Sequence, residues 1–246
     1  MSNPVLNTRS FESKEDLLSS NHVMTASGAM LKTCFLGGLL AITFAYTWYL
    51  FATGFTDKVM ILRNVGLFGG LIMVLIICFG PKNNFLSVTT SLYAMFEGLV
   101  LGSLSAMFNQ FYPGIASQAA MGTVFTVLGM AILYNTGVIK CTEKLRSTVI
   151  ISTFAVAGVY LLQLILSLFH IQIPGLFSNS IFGIGLSLLF IGIAAFNLIL
   201  DFDFIESYSN KASGYFEWYA AFSLMVTIVW LYIEILMLLS KIMSRR

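Results

Sequence analysis

The sequence predicts an all-α integral membrane protein, a bundle of seven transmembrane helices. Hydrophobic residues make up 58% of the 246 positions and charged residues only 10%. The mean hydropathy of +0.88 lies outside the usual range of a soluble domain. Apolar runs of about 20 residues, enough to cross a hydrocarbon core of about 30 Å, occur seven times. Because the runs are continuous rather than alternating, they exclude a β-barrel.

The apolar runs and the turns between them define each helix in order. Residues 80–84 (Gly-Pro-Lys-Asn-Asn) and 112–114 (Tyr-Pro-Gly) are turn sequences, because proline and glycine stop a helix and asparagine offers the backbone local hydrogen bonds. Such short connections make consecutive helices antiparallel. The predicted helices cover residues 30–53, 60–79, 85–108, 115–138, 148–169, 178–200 and 215–239, in a membrane domain of residues 30–246.

Glycines at helical spacing predict where helices approach each other. Gly66 with Gly70, and Gly98 with Gly102, are four residues apart, so each pair lies on one helix face. Small residues at such positions let helix backbones come close in lipid. We expect both pairs to serve helix packing.

Residues 1–29 differ in composition from the rest of the chain. Serine, threonine, asparagine and charged side chains dominate there, without an apolar segment of signal-peptide length. We expect a disordered tail, or a short amphipathic segment around residues 11–18, and no cleavable signal peptide. Eight lysines and arginines fall on the amino-terminal side of the predicted spans and five on the other, which favours a cytoplasmic amino terminus, whereas the basic segment 241–246 favours the opposite.

Few residues could carry enzymatic or metal chemistry. The three cysteines lack metal-ligand spacing, and His22 and His170 are the two histidines. Neither a zinc site nor a histidine-activated nucleophile has its parts. We expect no enzyme activity, no cofactor and no tight metal site. An intramembrane aspartyl protease is the one reaction that the acids permit, but its Gly-x-Gly-Asp motif is missing.

Glu97 is the most informative residue, because it lies in the middle of the apolar stretch 85–108. A charged acid at a helix centre costs roughly 3 kcal/mol on insertion scales, so such residues usually face a bundle interior and serve a pathway. We expect Glu97 to be neutral when alone and ionised when a cation or Arg63 is close. Arg63 is therefore a counter-ion candidate, and its alternative role is an anchor at the membrane interface.

Two aspartates, Asp201 and Asp203, follow the sixth apolar run. Two residues apart on a helix, they do not share a face, so at most one points inward. We expect this to be Asp201, with Asn197 one turn earlier on the same face. The alternative is a polar helix end with two solvated acids, since acids near span ends cost less than acids at the centre.

Glu217 opens the seventh apolar run, directly before Trp218 and Tyr219. Aromatic residues at a span end are typical of the interface belt at headgroup level, and an acid at a helix start is favoured by the helix dipole. The short link to the sixth run could instead bring Glu217 near Asp201 or Asp203. Carboxylates that lie close together raise one another's proton affinity.

Glu234 lies inside the seventh run, seven residues after Thr227. Residues seven apart share a helical stripe, so Glu234 and Thr227 can both line the bundle interior. The alternative is a snorkelling surface acid, because Glu234 is near the span end and seven residues before Lys241.

Two motifs are specific enough to indicate a family: Asp-Phe-Asp-Phe-Ile-Glu at 201–206 and Glu-Trp-Tyr-Ala-Ala-Phe at 217–222. With this separation and helix order, the chain resembles the Bax inhibitor-1 superfamily, also called the transmembrane Bax inhibitor motif family, and in particular its bacterial branch. The resemblance runs nearly end to end. Further matching segments are residues 3–6, 92–99, 112–115, 137–140 and 197–206.

The resemblance implies a central last helix that six others surround. In related bacterial members it also implies a pH-sensitive calcium leak, in which paired aspartates between helices six and seven are the proton sensor. Asp201 matches the first aspartate. An ungapped alignment puts Thr227 at the second, whereas a gapped alignment nominates Glu234. We favour the ungapped version because it preserves hairpin length. The chain then departs from the two-aspartate arrangement, and Glu97, Glu217 or Glu234 would supply the partner acid.

These residues support one leading function and one alternative. Hard cations such as calcium prefer carboxylate and carbonyl oxygens, which Glu97, Asp201 and Asn197 provide, and few acids suit transient binding. We expect a proton-sensitive cation leak, for calcium, in a bacterial inner membrane, with the lipid bilayer, cations and protons as partners. The alternative is a non-conducting regulator of stress response or membrane proteolysis that binds membrane proteins. Neither function involves nucleic acid.

Overall fold

The computed structural model describes residues 23–169, 171, 173, 176 and 178–245. Seven α-helices form this part of the chain, and each is long and apolar enough to span a membrane. The prediction of an all-α protein with seven spans is confirmed. The helices are α1 Ala26–Ala52, α2 Thr56–Phe79, α3 Leu86–Phe111, α4 Ile115–Asn135, α5 Glu143–Ser167, α6 Ile181–Tyr208 and α7 Phe216–Met243. Residues 1–22 of the predicted tail, and His170, lie outside the described residues.

Several helices start before the predicted spans, because helix starts carry polar residues that an apolar window cannot detect. α1 begins four residues early, after Thr25, whose hydroxyl accepts the Gly28 N–H at 3.0 Å as an N-cap. The predicted tail therefore overlaps α1 at residues 26–29. α5 begins five residues early, after Thr142, whose hydroxyl accepts the Leu145 N–H at 3.2 Å.

The largest difference from the prediction is the end of α6, which was expected at residue 200 and lies at Tyr208. Asp201 and Asp203 are therefore inside the helix and do not end it. The hydropathy falls at the two acids, but Phe202 and Phe204 between and after them are buried, so apolar packing continues along this part of the helix. The other helix ends differ from the prediction by at most four residues.

The predicted turns are present. Gly114 precedes α4 with a φ of 85°, a left-handed conformation that glycine adopts without strain. In the turn after α2, the Asn83 side chain accepts the Phe85 N–H at 3.0 Å. Pro and Gly thus end these helices, and asparagine satisfies the backbone locally, as the sequence indicated.

The chain forms two compact units. The first consists of Met1–Gln110 and Asp203–Val226, and the second of Phe111–Phe202 and Thr227–Arg246. In the first unit, a Cβ atom added at Gly98 or Gly102 would collide with Thr43 or Thr47 of α1, and one added at Gly66 would collide with the α3 backbone. Small residues do allow close helix approach at these positions.

The second unit has an apolar cluster of Val156, Leu176 and Phe190, against which Tyr160 and Trp230 pack. Of the seven helices, α7 has the largest share of buried residues, 56% of an 18-residue apolar stretch. Many large apolar side chains on the other helices are exposed, which suits contact with lipid chains rather than water.

Candidate functional site

Asp201 of α6 and Thr227 of α7 form a buried pair in the second unit. The Thr227 hydroxyl donates to Asp201 Oδ2 at 2.6 Å. Asp201 is only 2% exposed, whereas Asp203 is half-buried, so Asp201 is the inward one, as predicted. Thr227 is the residue that the ungapped alignment puts at the second aspartate position, and the structure brings it into contact with Asp201.

Asn197 lies one turn before Asp201 on α6 and links this helix to α5. Its amide nitrogen donates to Thr153 Oγ1 at 2.7 Å and to the Ile193 carbonyl at 2.9 Å. A buried amide needs such partners. Asn197 therefore helps to hold the α5–α6 contact from which Asp201 projects.

Glu234 of α7 is the most buried acid among the described residues, at 1% exposed. The Tyr160 hydroxyl and the Trp230 indole N–H both donate to Oε1, at 2.6 and 3.0 Å. Oε2 is buried and has no hydrogen-bond partner among the described residues. The alternative of a snorkelling surface acid is wrong, because packing of Tyr160 and Trp230 in the apolar cluster closes the way to solvent.

Lys241 follows Glu234 by two helical turns and is also buried, at 6% exposed. Its ammonium group donates to the Leu176 carbonyl at 2.7 Å, the Gly183 carbonyl at 3.1 Å and Ser187 Oγ at 2.8 Å. Neutral oxygens thus solvate the ammonium, as they would a small free cation. The sequence did not predict these three contacts, although a spacing of seven residues places Lys241 on the same helix face as Glu234.

Glu217 opens α7 in the first unit, as predicted, but its carboxylate is paired and 3% exposed. Oε2 lies 2.6 Å from Lys32 Nζ. Oε1 accepts the Thr25 N–H at 2.7 Å and the Thr25 hydroxyl at 2.9 Å. The structure thus gives Glu217 a partly buried ion pair with Lys32.

This ion pair lies beside a cleft of about 490 Å³ in the first unit. The Lys32 ammonium also sits 5.0 Å from the centre of the Trp218 ring. Cation–π contact and the carboxylate together hold the ammonium in place. The lining residues are Lys32, Asn84, Ser87, Gly214, Tyr215, Glu217 and Trp218.

Lys82 closes the end of α2 in the same unit. Its ammonium group donates to the Ile77 and Cys78 carbonyls in the last turn of the helix and lies 4.7 Å from the centre of the Tyr219 ring. A cation at a helix carboxyl end satisfies carbonyls that lack helical partners. Burial lowers the pKa of the Lys82 ammonium.

Glu97 is less buried than the sequence suggested. It is half-buried on α3, one turn after the buried Tyr93. A Cβ atom added at Gly70 of α2 would lie 3.6 Å from Glu97 Oε1, so the missing side chain leaves room for the carboxyl group. The middle of an apolar run is thus not the most enclosed position in this protein.

The prediction of Arg63 as a counter-ion is wrong. Arg63 pairs with no carboxylate among the described residues. Its Nη1 lies 3.8 Å from Met107 Sδ. The α3 residues that line the same cavity are Ser103, Met107 and Gln110, and none of them is an acid.

Seven apolar spans with carboxyl groups buried inside them define a multi-pass α-helical membrane protein with an internal polar site. No group of three or more His, Cys, Asp or Glu side chains placed to hold a metal lies among the described residues. A family model described as Bax inhibitor 1 like matches residues 3–244, and the chain belongs to this family. No curated protein and no solved structure matches the chain.

Proposed function

We propose that this protein is a pH-sensitive cation leak that conducts calcium, with Asp201 and Thr227 as its proton-responsive pair. The observation that carries the proposal is the buried 2.6 Å hydrogen bond between them. An ionised carboxylate accepts from the hydroxyl, whereas a protonated carboxyl group can itself donate. Protonation removes the charge that strengthens this hydrogen bond and adds a donor, so it weakens the contact between α6 and α7, and this is how a proton would change the packing of the two helices.

The oxygen atoms at this pair suit a cation that passes through rather than one that stays. A carboxylate and a hydroxyl are hard ligands of the type that calcium prefers, but a tight calcium site takes six to eight oxygens. Conduction requires binding that is weak enough for the ion to leave. Calcium is the conducted ion in this proposal, not a resident cofactor, and Asp201 would attract it only when ionised.

The resemblance to bacterial members supports the rest of the proposal. It favours a bacterial inner membrane as the location, with no enzymatic reaction and no bound cofactor. The excess of basic residues on the amino-terminal side favours a cytoplasmic amino terminus.

The test is calcium influx into liposomes that contain purified protein and a trapped calcium dye, from about pH 6 to about pH 8. Wild-type protein should give flux that depends on pH. Asp201→Asn fixes the site in one charge state, so its flux should lose most of that dependence, and Thr227→Val should shift it. Asp203→Asn, two residues away and half-buried, is the matched control and should behave as wild type.

The proposal fails if correctly inserted wild-type protein gives no flux above empty liposomes for calcium, sodium or potassium. It also fails in its assignment of the sensor if Asp201→Asn keeps the wild-type pH profile. The first outcome would favour the non-conducting regulator, whose carboxylates would tolerate neutral substitutions.

A further inference from the structure

Arg63 faces a cavity in the first unit that no acid of the described chain fills. The cavity has a volume of about 170 Å³ and lies where α1 ends, α2 begins and α3 ends. Phe51, Val59 and Met107 give it apolar walls, and Gln110 adds an amide. The ends of membrane spans lie at the level of the lipid headgroups, so this cavity is at headgroup depth.

The guanidinium group of Arg63 lacks a strong acceptor. It is always charged and carries five N–H donors. Its hydrogen bond in the described chain goes from Nη1 to the Met107 thioether at 3.8 Å, and sulfur is a weak acceptor. Nε is buried and has no partner among the described residues. Arg63 is half-buried, its Nη1 is exposed and its charge has no acid beside it at the cavity, so the site suits an anion from outside the chain.

We propose that this cavity binds a phosphate group, with Arg63 as the cation that holds it. The planar fork of arginine matches two phosphate oxygens at once. The Gln110 amide can donate to a third oxygen from the end of α3. The apolar walls suit the glycerol part of a phospholipid, so a lipid headgroup and free inorganic phosphate are the two sources of the same chemistry.

Native mass spectrometry of the purified full-length protein in detergent tests the proposal. Dimyristoyl phosphatidylglycerol and dimyristoylglycerol have the same acyl chains, but only the first carries phosphate, and inorganic phosphate forms a third arm. Arg63→Gln removes the charge from the cavity. Lys58→Gln removes a charge from the same helix, where Lys58 lies over the Phe55 ring at 4.4 Å, and is the matched control.

Wild-type protein and Lys58→Gln should bind phosphatidylglycerol more strongly than dimyristoylglycerol. Arg63→Gln should weaken the binding of phosphatidylglycerol by about tenfold or more, the loss expected for a charge-assisted contact. Arg63→Lys, which keeps the charge without the fork, should fold and bind with intermediate strength. If inorganic phosphate alone shows the Arg63 dependence, the site is a phosphate site with a soluble source. The proposal is overturned if wild type shows no preference for either phosphate compound, or if Lys58→Gln loses as much binding as Arg63→Gln.

Discussion

The two glutamates of α7 lie in different units and have opposite environments. In the first unit, Glu217 has a hydrogen-bond or ion-pair partner on each oxygen, Lys32 on one and Thr25 on the other. In the second unit, Glu234 receives both of its donors on a single oxygen and leaves the other buried without a partner among the described residues. Both carboxyl groups are almost fully buried.

The difference shows that burial of an acid is not by itself a sign of function in this protein. A carboxylate with an ammonium group at 2.6 Å keeps one charge state and joins the start of α1 to α7. A buried carboxyl group with neutral partners can exist with or without its proton. We therefore propose a structural role for Glu217. We propose a proton-responsive role for Asp201 and Glu234 of the second unit, which accept hydrogen bonds from hydroxyl and indole donors.

Removing the cation in the first unit should give the largest loss of stability. Lys32→Met leaves the Glu217 carboxylate buried without its counter-charge, and breaking a buried pair in this way costs about 3 kcal/mol. Glu143→Gln breaks the exposed pair with Arg146 and should change stability by about 0.5 kcal/mol or less. Unfolding of the purified variants in mixed micelles measures both. Equal effects would mean that the buried pair contributes no more than a surface one.

Displacing the Glu217 carboxylate without changing any charge should have a smaller effect. A Cβ atom at Gly28 would collide with the Glu217 carboxyl group, so Gly28→Ala should push it away from Lys32 at a cost of about 1–2 kcal/mol. Gly38→Ala, on the same helix with open space around it, should be neutral or slightly stabilising. Thermal unfolding compares the two variants. A neutral result for Gly28→Ala would show that the ion pair tolerates displacement.

Neutralising Glu234 should have the smallest effect on stability. Glu234→Gln keeps an oxygen for Tyr160 and Trp230 and removes no ion pair, so the loss should stay within about 1 kcal/mol. Its effect should be on the pH profile of ion flux instead. A loss of stability as large as that of Lys32→Met would show that the charge of Glu234 stabilises the fold. The two glutamates would then not differ in their roles.

The sequence predicted the seven spans, because runs of apolar residues report directly on the length that crosses a bilayer. The sequence did not predict which side chains of one helix contact those of another. Trp230 is a local partner of Glu234 on α7, but Tyr160 and all three partners of Lys241 come from α5, α6 and the segment between them, which no local pattern indicates. The position of Glu97 along its helix follows from the sequence, whereas the room for its carboxyl group beside Gly70 of α2 needed the structure.

Asp201 was identified by combining helix periodicity with family motifs, whereas its contact with Thr227 needed the structure. The ungapped alignment favoured Thr227 on hairpin length alone. The pairing of Glu217 with Lys32 was not predicted, since 185 residues separate them and neither stands in a pattern that names the other.

The most direct test of the central claim is infrared difference spectroscopy of the reconstituted protein between about pH 6 and about pH 8, which detects carboxyl groups that gain or lose a proton. We predict a band of protonated carboxyl that Asp201→Asn removes or reduces and that Glu217→Gln leaves unchanged. A band that survives Asp201→Asn and disappears in Glu217→Gln would contradict the account, because the paired acid of the first unit would then be the one that responds to pH.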